Sequence, residues 1–384
     1  MERIGKMFEI GEEEIQAVTD TLRRGILSRF QGGTEGYLAQ AERDLAAKTS
    51  CQYALMMNSG TSALISSLVA LGIGKGDEVL VSAYTWISTP LAPMLLQAVP
   101  VLVEVDDTLT MDPDDLARKI SPRTKAIMVI HMGNRPCNMD RIMEIANAHN
   151  IPVVEDACQA VCGLYKGRRL GSIGKIGCFS FNNYKNVTSG EGGAIVCNDR
   201  EIFDRARLWH DAGTFVQSYD APIQIPYFAG QDYRASEIQG ALIWAQLKKV
   251  DYWMDELRKR VKFCVDTINS IGKYKVIPHN DPASAAAFGV QFDTKEECDA
   301  FCEKNNMGCI RNTAGRHVYT NWVPLTERRA YRDDINPYLT PEGANVRYDE
   351  NTAPRTLDIL QRSVMLNVGW QDDFAALEKQ MKAL

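Results

Sequence analysis

Strand-length apolar or β-branched runs recur along the first half of the chain, at residues 52–57, 78–81, 100–105, 126–131, 152–155, 176–181 and 194–197. Segments with helical spacing of apolar positions, at 62–71, 113–119 and 139–149, separate most of the early runs. Strands joined by helices must run parallel, and their near-continuous apolar character expects cover on both faces. The pattern therefore predicts an α/β layer with seven strands. Between the last two runs a Gly- and Asn-rich loop replaces the helix, and that loop carries Lys185. From Ala235 onward Ile238, Leu242, Ala245, Val250, Trp253, Leu257, Val261 and Ile268 follow helical spacing with no proline among them. They predict one long helix, straight or bent, leading out of the layer. The remainder mixes short strands and helices, interrupted at Pro278, Pro282, Pro324, Pro337, Pro341 and Pro354. With 384 residues to bury, two domains are expected: a large one over 1–250 and a smaller C-terminal α/β one over 251–384.

Composition removes several function classes. A formal net charge of -6 gives no concentrated basic face for nucleic acid, and the run Arg258-Lys259-Arg260 is flanked by acids as a solvated helix face would be. The most apolar stretch, 91–105, is interrupted by Gln97 and Pro100 and is too short to cross a bilayer. Ten cysteines are scattered without a CxxC pair, and residues 1–6 open no secretory segment. A reduced, cytoplasmic setting is expected. The spacings Cys158/Cys162 and Cys298/Cys302 lack the paired knuckles or nearby histidines of a zinc site, and His149, His210, His279 and His317 show no metal spacing. No metal is expected.

The candidate chemistry lies at strand ends. Val153-Val154-Glu155-Asp156-Ala157-Cys158-Gln159 runs a buried strand into an acidic pair. Farther along, Phe179-Ser180-Phe181 leads through Asn182-Asn183-Tyr184-Lys185 to Gly190-Glu191-Gly192-Gly193. A lone Asp here reads first as a helix cap. Paired with a loop lysine it fits pyridoxal phosphate (PLP): the lysine amine condenses with the cofactor aldehyde, and the carboxylate keeps the ring nitrogen protonated so that the ring draws electrons. The phosphate needs donors at a helix start, which Asn58-Ser59-Gly60-Thr61-Ser62 offers. Thr61 and Ser62 are the candidates there, with a hydroxyl cap as the bland alternative. The pattern is no Walker loop. Trp86, after another strand, could stack on a flat ring or simply pack in the core. His131 also ends a strand and reads as a satisfied core histidine.

Taken together, Gly60 to Leu64, Glu155 to Ala160, Lys166-Gly167 with Gly171-Ser172-Ile173-Gly174, and Phe179 through Lys185 to Gly193 resemble the DegT/DnrJ-type sugar aminotransferases. The resemblance implies the fold of PLP-dependent transferases of type I, a homodimer with shared active sites, and PLP on Lys185. It further implies Asp156 at the ring nitrogen, Trp86 stacked on the ring, Gly60, Thr61, Ser62 and Ser180 at the phosphate, and Gln159 near the ring hydroxyl. His317 and Tyr319 are assigned to the substrate. Asp107-Thr108-Leu109, Pro122 to Ala126, His131-Met132 and Asn321-Trp322 resemble the branch that aminates C8 of an octulosonate.

Two departures stand out. The family motif Gly-x-Asn-Tyr/Phe-Arg reads Gly230-Gln231-Asp232-Tyr233-Arg234 here, so Asp232 replaces an Asn that reaches the neighbouring subunit's phosphate, and an ionised Asp would repel it. The triplet before Lys185 is also bulky. The expected reaction moves an amino group from glutamate or glutamine to a keto- or aldehydo-sugar, sugar acid or cyclitol. A dehydratase or oxidase on the same site, or a non-catalytic PLP-binding regulatory protein, are the rivals.

Overall fold

In a computed structural model of the protein, residues 8–213 and 222–384 are described. Seven strands form one sheet: β1 Tyr53–Met57, β2 Glu78–Ser82, β3 Val99–Val103, β4 Thr124–Ile130, β5 Val153–Asp156, β6 Ile176–Ser180 and β7 Gly193–Cys197. Their spatial order is β1-β7-β6-β5-β4-β2-β3. Only β7 runs against its neighbours, because the loop bearing Lys185 turns the chain straight back beside β6 and no helix crosses over. All other pairings are parallel. The predicted strands are thus present, each within a residue or two of its expected bounds.

Burial explains why the sheet holds. Val79, Leu80 and Val81 are all 0% exposed, and each such side chain contributes roughly 1.5–3 kcal/mol. The helices Gly60–Ala70 (α1), Ser88–Leu95 (α2), Met139–Ala148 (α3) and Arg200–His210 (α4) pack on the layer. Helix α3 is amphipathic, with Met139, Ile142, Ile145 and Ala146 buried.

The single long helix expected after Ala235 is two: α5 Glu237–Leu247 and α6 Val250–Ile271. The chain breaks at Lys248 and Lys249, where Lys249 N–H donates to Gln246 O at 2.9 Å. That tighter bond, spanning three residues instead of four, ends α5. Lys249 Nζ then pairs with buried Glu14 at 2.6 Å, which fixes the turn.

A second sheet is antiparallel and three-stranded: β8 Lys275–Val276, β9 Phe288–Gln291 and β10 Ser363–Leu366, with β9 in the middle. Helix α7, Lys295–Asn305, begins at a capping box in which the Thr294 side chain accepts the Glu297 N–H at 3.2 Å. The two sheets meet at Arg135, whose guanidinium donates to carbonyls of Thr108, Pro278 and Ala287.

Candidate active site

Because β1, β2, β4, β5 and β6 point the same way, their C-terminal ends line one edge of the sheet, where loops can carry polar groups without disturbing the ladder. A cleft of about 1040 Å³ lies there, and Gly60, Thr61, Trp86, Asp156, Gln159, Ser180, Lys185 and His317 all reach it. Residues spread over more than 250 positions of sequence are brought together by register. Asp156 sits opposite Ile130 on one side and Cys178 on the other.

Each polar group has a defined state. Asp156 is buried, with Oδ2 accepting from Thr89 Oγ1 at 2.7 Å and Oδ1 accepting from the Cys158 N–H at 3.1 Å. Thr89 is in turn 2.8 Å from Thr85 Oγ1. The carboxylate is therefore oriented from two sides and shut from bulk water. Its neighbour Glu155 faces away from the cleft and serves as an anchor. It accepts the N–H groups of Gly171, Ile173 and Gly174 at 2.9, 2.5 and 2.5 Å, and lies 2.9 Å from His131 Nε2. The Cys137 N–H donates to His131 Nδ1 at 3.2 Å, so the ring proton belongs on Nε2, facing Glu155. His131 is the satisfied core histidine that the sequence suggested.

Helix α1 presents its N-terminus to the cleft. Ser59 caps it, accepting the Ser62 N–H at 3.1 Å, and Thr61 Oγ1 donates to Ser88 Oγ at 2.9 Å. Gly60 is required by close approach, since a Cβ there would lie 2.7 Å from Ser180 Cβ and 3.1 Å from Cys158 Sγ. Gly193 is equally tight, a Cβ falling 2.2 Å from Ser59 O. These contacts hold two hydroxyl-bearing segments around the first turn of the helix, an arrangement suited to an anion. Burial and the nearby Asp156 push the Cys158 thiol well above its ordinary pKa.

Gln159 Oε1 accepts the Gly133 N–H at 3.2 Å, which orients its amide at the cleft. Trp86 packs with His317, ring centroids 5.0 Å apart. His317 Nδ1 is 2.8 Å from Ala314 O. Burial, with help from Lys185 and Arg316, lowers its pKa and keeps the ring neutral.

Two residues expected at this cleft, Ser62 and Tyr319, do not line it, and neither does Asp232, which was expected at the neighbouring subunit's phosphate. Ser62 Oγ is spent on Asn58 Oδ1 at 2.6 Å and Ser59 Oγ at 2.8 Å. Tyr319 is fully buried, its hydroxyl donating to Asp349 O at 3.0 Å and accepting the Ala353 N–H at 3.2 Å; it supports the floor and touches no substrate space. Asp232 Oδ2 lies 2.5 Å from Arg234 Nη2, so within its own chain the carboxylate has a cationic partner. Conversely, Thr89, Ser88, Asn134 and Arg316 were missed. None belongs to a recognisable motif; the fold alone brings Ser88, Asn134 and Arg316 to the cleft and sets Thr89 behind Asp156.

The model of the DegT/DnrJ/EryC1/StrS aminotransferase family matches residues 8–349. Among curated relatives, the spore coat polysaccharide biosynthesis protein SpsC of Bacillus subtilis (strain 168) is 37% identical over 265 residues, covering 65% of this chain and 64% of that protein. The GDP-perosamine synthase of Caulobacter vibrioides (strain ATCC 19089 / CIP 103742 / CB 15) is 37% identical, covering 63% and 65%. The matched region thus spans just under two thirds of either relative. Among solved structures, 3-amino-5-hydroxybenzoic acid synthase aligns with a TM-score of 0.77 at 27% identity, covering 98% of this chain and 96% of that one. A GDP-4-keto-6-deoxymannose-3-dehydratase with a trapped PLP-glutamate geminal diamine aligns at 0.79 and 20% identity, covering 100% and 99%, and shares the fold.

Proposed function

The chain belongs to the DegT/DnrJ/EryC1/StrS aminotransferase family, and from that premise we propose that it is a PLP-dependent aminotransferase carrying an amino group from glutamate or glutamine to a keto- or aldehydo-sugar, sugar acid or cyclitol. The observation that supports this best is the convergence of Lys185, Asp156 and the N-terminus of α1 on one cleft. When bound, PLP supplies an aldehyde that takes up amines and a ring that draws electrons from the bond being broken. The donor set fits it. Thr61, Ser180 and the helix N–H groups would hold the phosphate, and Gly60 leaves room for it.

Asp156, oriented by Thr89 and the Cys158 N–H, would hold a proton at the ring nitrogen. Trp86 would cover the ring face and exclude water, with Gln159 at the ring hydroxyl. Lys185 Nζ has two tasks: to anchor the cofactor, then to move a proton between substrate carbon and cofactor as base and acid. In the same reading residues 1–250 form the cofactor-binding domain and 251–384 the smaller one. The active form is a cytoplasmic homodimer with shared sites.

Borohydride reduction followed by peptide mass spectrometry should place a pyridoxyl group on Lys185, and a label on another lysine would overturn the assignment. Nitrogen-15 from labelled donor should appear in the sugar product. A product lacking nitrogen would mark a dehydratase instead.

A further inference from the structure

A donor amino acid and a sugar must use the same cleft in turn, and the donor brings a carboxylate that the sugar acceptor need not carry. The charges lining the cleft are unevenly committed. Of its two carboxylates, Asp156 is held by Thr89 and the Cys158 N–H, and Glu191 accepts from Asn182 Nδ2 at 2.9 Å. Of its cations, Lys185 is reserved for the cofactor, and Arg135 donates to the three carbonyls that join the sheets. Arg316 is different.

Its backbone is pinned: Trp322 Nε1 donates to Arg316 O at 2.8 Å, and the Thr85 N–H donates to the carbonyl of adjoining His317 at 3.0 Å. Its guanidinium is left over Trp86, 4.8 Å from the ring centroid. Among the described residues no carboxylate pairs with it, and no hydrogen bond from its side chain is made. An arginine resting on an indole is less hydrated and partly preorganised, while the edge of its fork stays available to two oxygens.

We propose that Arg316 is the residue that docks the carboxylate of the amino-acid donor, and so selects amino acids over plain amines in the first half of the reaction. This rests on the aminotransferase reading above. The neutral His317 beside it adds no competing charge, and among the described residues neither cleft carboxylate forms an ion pair with the guanidinium.

The test uses holoenzyme and glutarate, a dicarboxylate that cannot react, with binding followed by calorimetry. Arg316→Gln should weaken glutarate by about ten- to a hundredfold, the usual worth of a charge-assisted hydrogen bond. Arg316→Lys keeps the charge without the fork and should fall between. Arg316→Gln should slow conversion of the cofactor to its amino form by glutamate far more than by isopropylamine, which has no carboxylate, a split that a merely structural role would not produce. Glutarate binding within twofold of wild type in Arg316→Gln overturns the proposal. If wild type binds glutarate but converts with neither glutamate nor isopropylamine, it is the aminotransferase reading that fails.

Discussion

Asp156 and Thr89 show how a single contact decides what a carboxylate can do. A cap aspartate needs only the Cys158 N–H, whereas the second bond from buried Thr89 turns Oδ2 toward a fixed direction and costs side-chain freedom that a cap would not require. Asp156→Asn preserves the shape and removes the charge. Single-turnover amino transfer should then slow by about a thousandfold or more, each ~1.4 kcal/mol of lost stabilisation being tenfold. A rate within about threefold of wild type would reduce Asp156 to a cap. Asp156, Lys185 and Gly60 were legible because each stands where an apolar run meets a polar or glycine-rich one. Thr89 was not, since nothing in Ser88-Thr89-Pro90 announces a partner 67 positions away. Ser62 has the same chemistry as Thr61, and the structure engages both hydroxyls, that of Ser62 with Asn58 Oδ1 and that of Thr61 with Ser88 Oγ.

Among elements, α1 carries the sharpest conflict between local and global preference. Alanine at position 60 would favour an isolated helix by up to about 1 kcal/mol over glycine. In the fold its Cβ would press on Ser180 and Cys158, an overpacking that costs roughly 1–3 kcal/mol. Gly60→Ala should therefore lower the melting temperature of the apoprotein and weaken PLP in a fluorescence titration. An unchanged or raised melting temperature with normal PLP affinity would show that Ser180 yields easily. The strands were legible from their apolar runs and the loop after β6 from its glycines and asparagines. The break between α5 and α6 was not, because Lys248 and Lys249 are good helix formers. The turn that ends α5 is fixed by the reach of Lys249 to Glu14, more than 200 residues distant in sequence.

At the scale of the whole molecule, the cleft depends on how the C-terminal part is joined to the large sheet; Thr356 bonds to Glu104 and Val105 at one point of that joint, and Arg135 makes another. Only 2% of this residue is exposed. Nε donates to Thr108 O at 3.1 Å, Nη1 to Ala287 O at 3.4 Å and Nη2 to Pro278 O, while burial lowers its pKa to about 10. It stays charged at neutral pH and spends its fork on backbone. Nearby, Asn280 Nδ2 reaches Thr108 Oγ1, Thr110 Oγ1 and Pro136 O at 3.2, 3.1 and 3.0 Å, so one strip of the C-terminal part is tied to two loops of the large sheet. A lysine has no planar fork to satisfy carbonyls in three directions. Arg135→Lys should destabilise the protein by about 1–3 kcal/mol through unmatched buried carbonyls. If the joint acts as a unit, amide exchange should accelerate together in 106–112 and 278–288, and glutarate should bind more weakly although Arg316 is untouched. Acceleration confined to one of the two segments would show that Arg135 supports that loop alone and that the sheets are held in place by their apolar contacts.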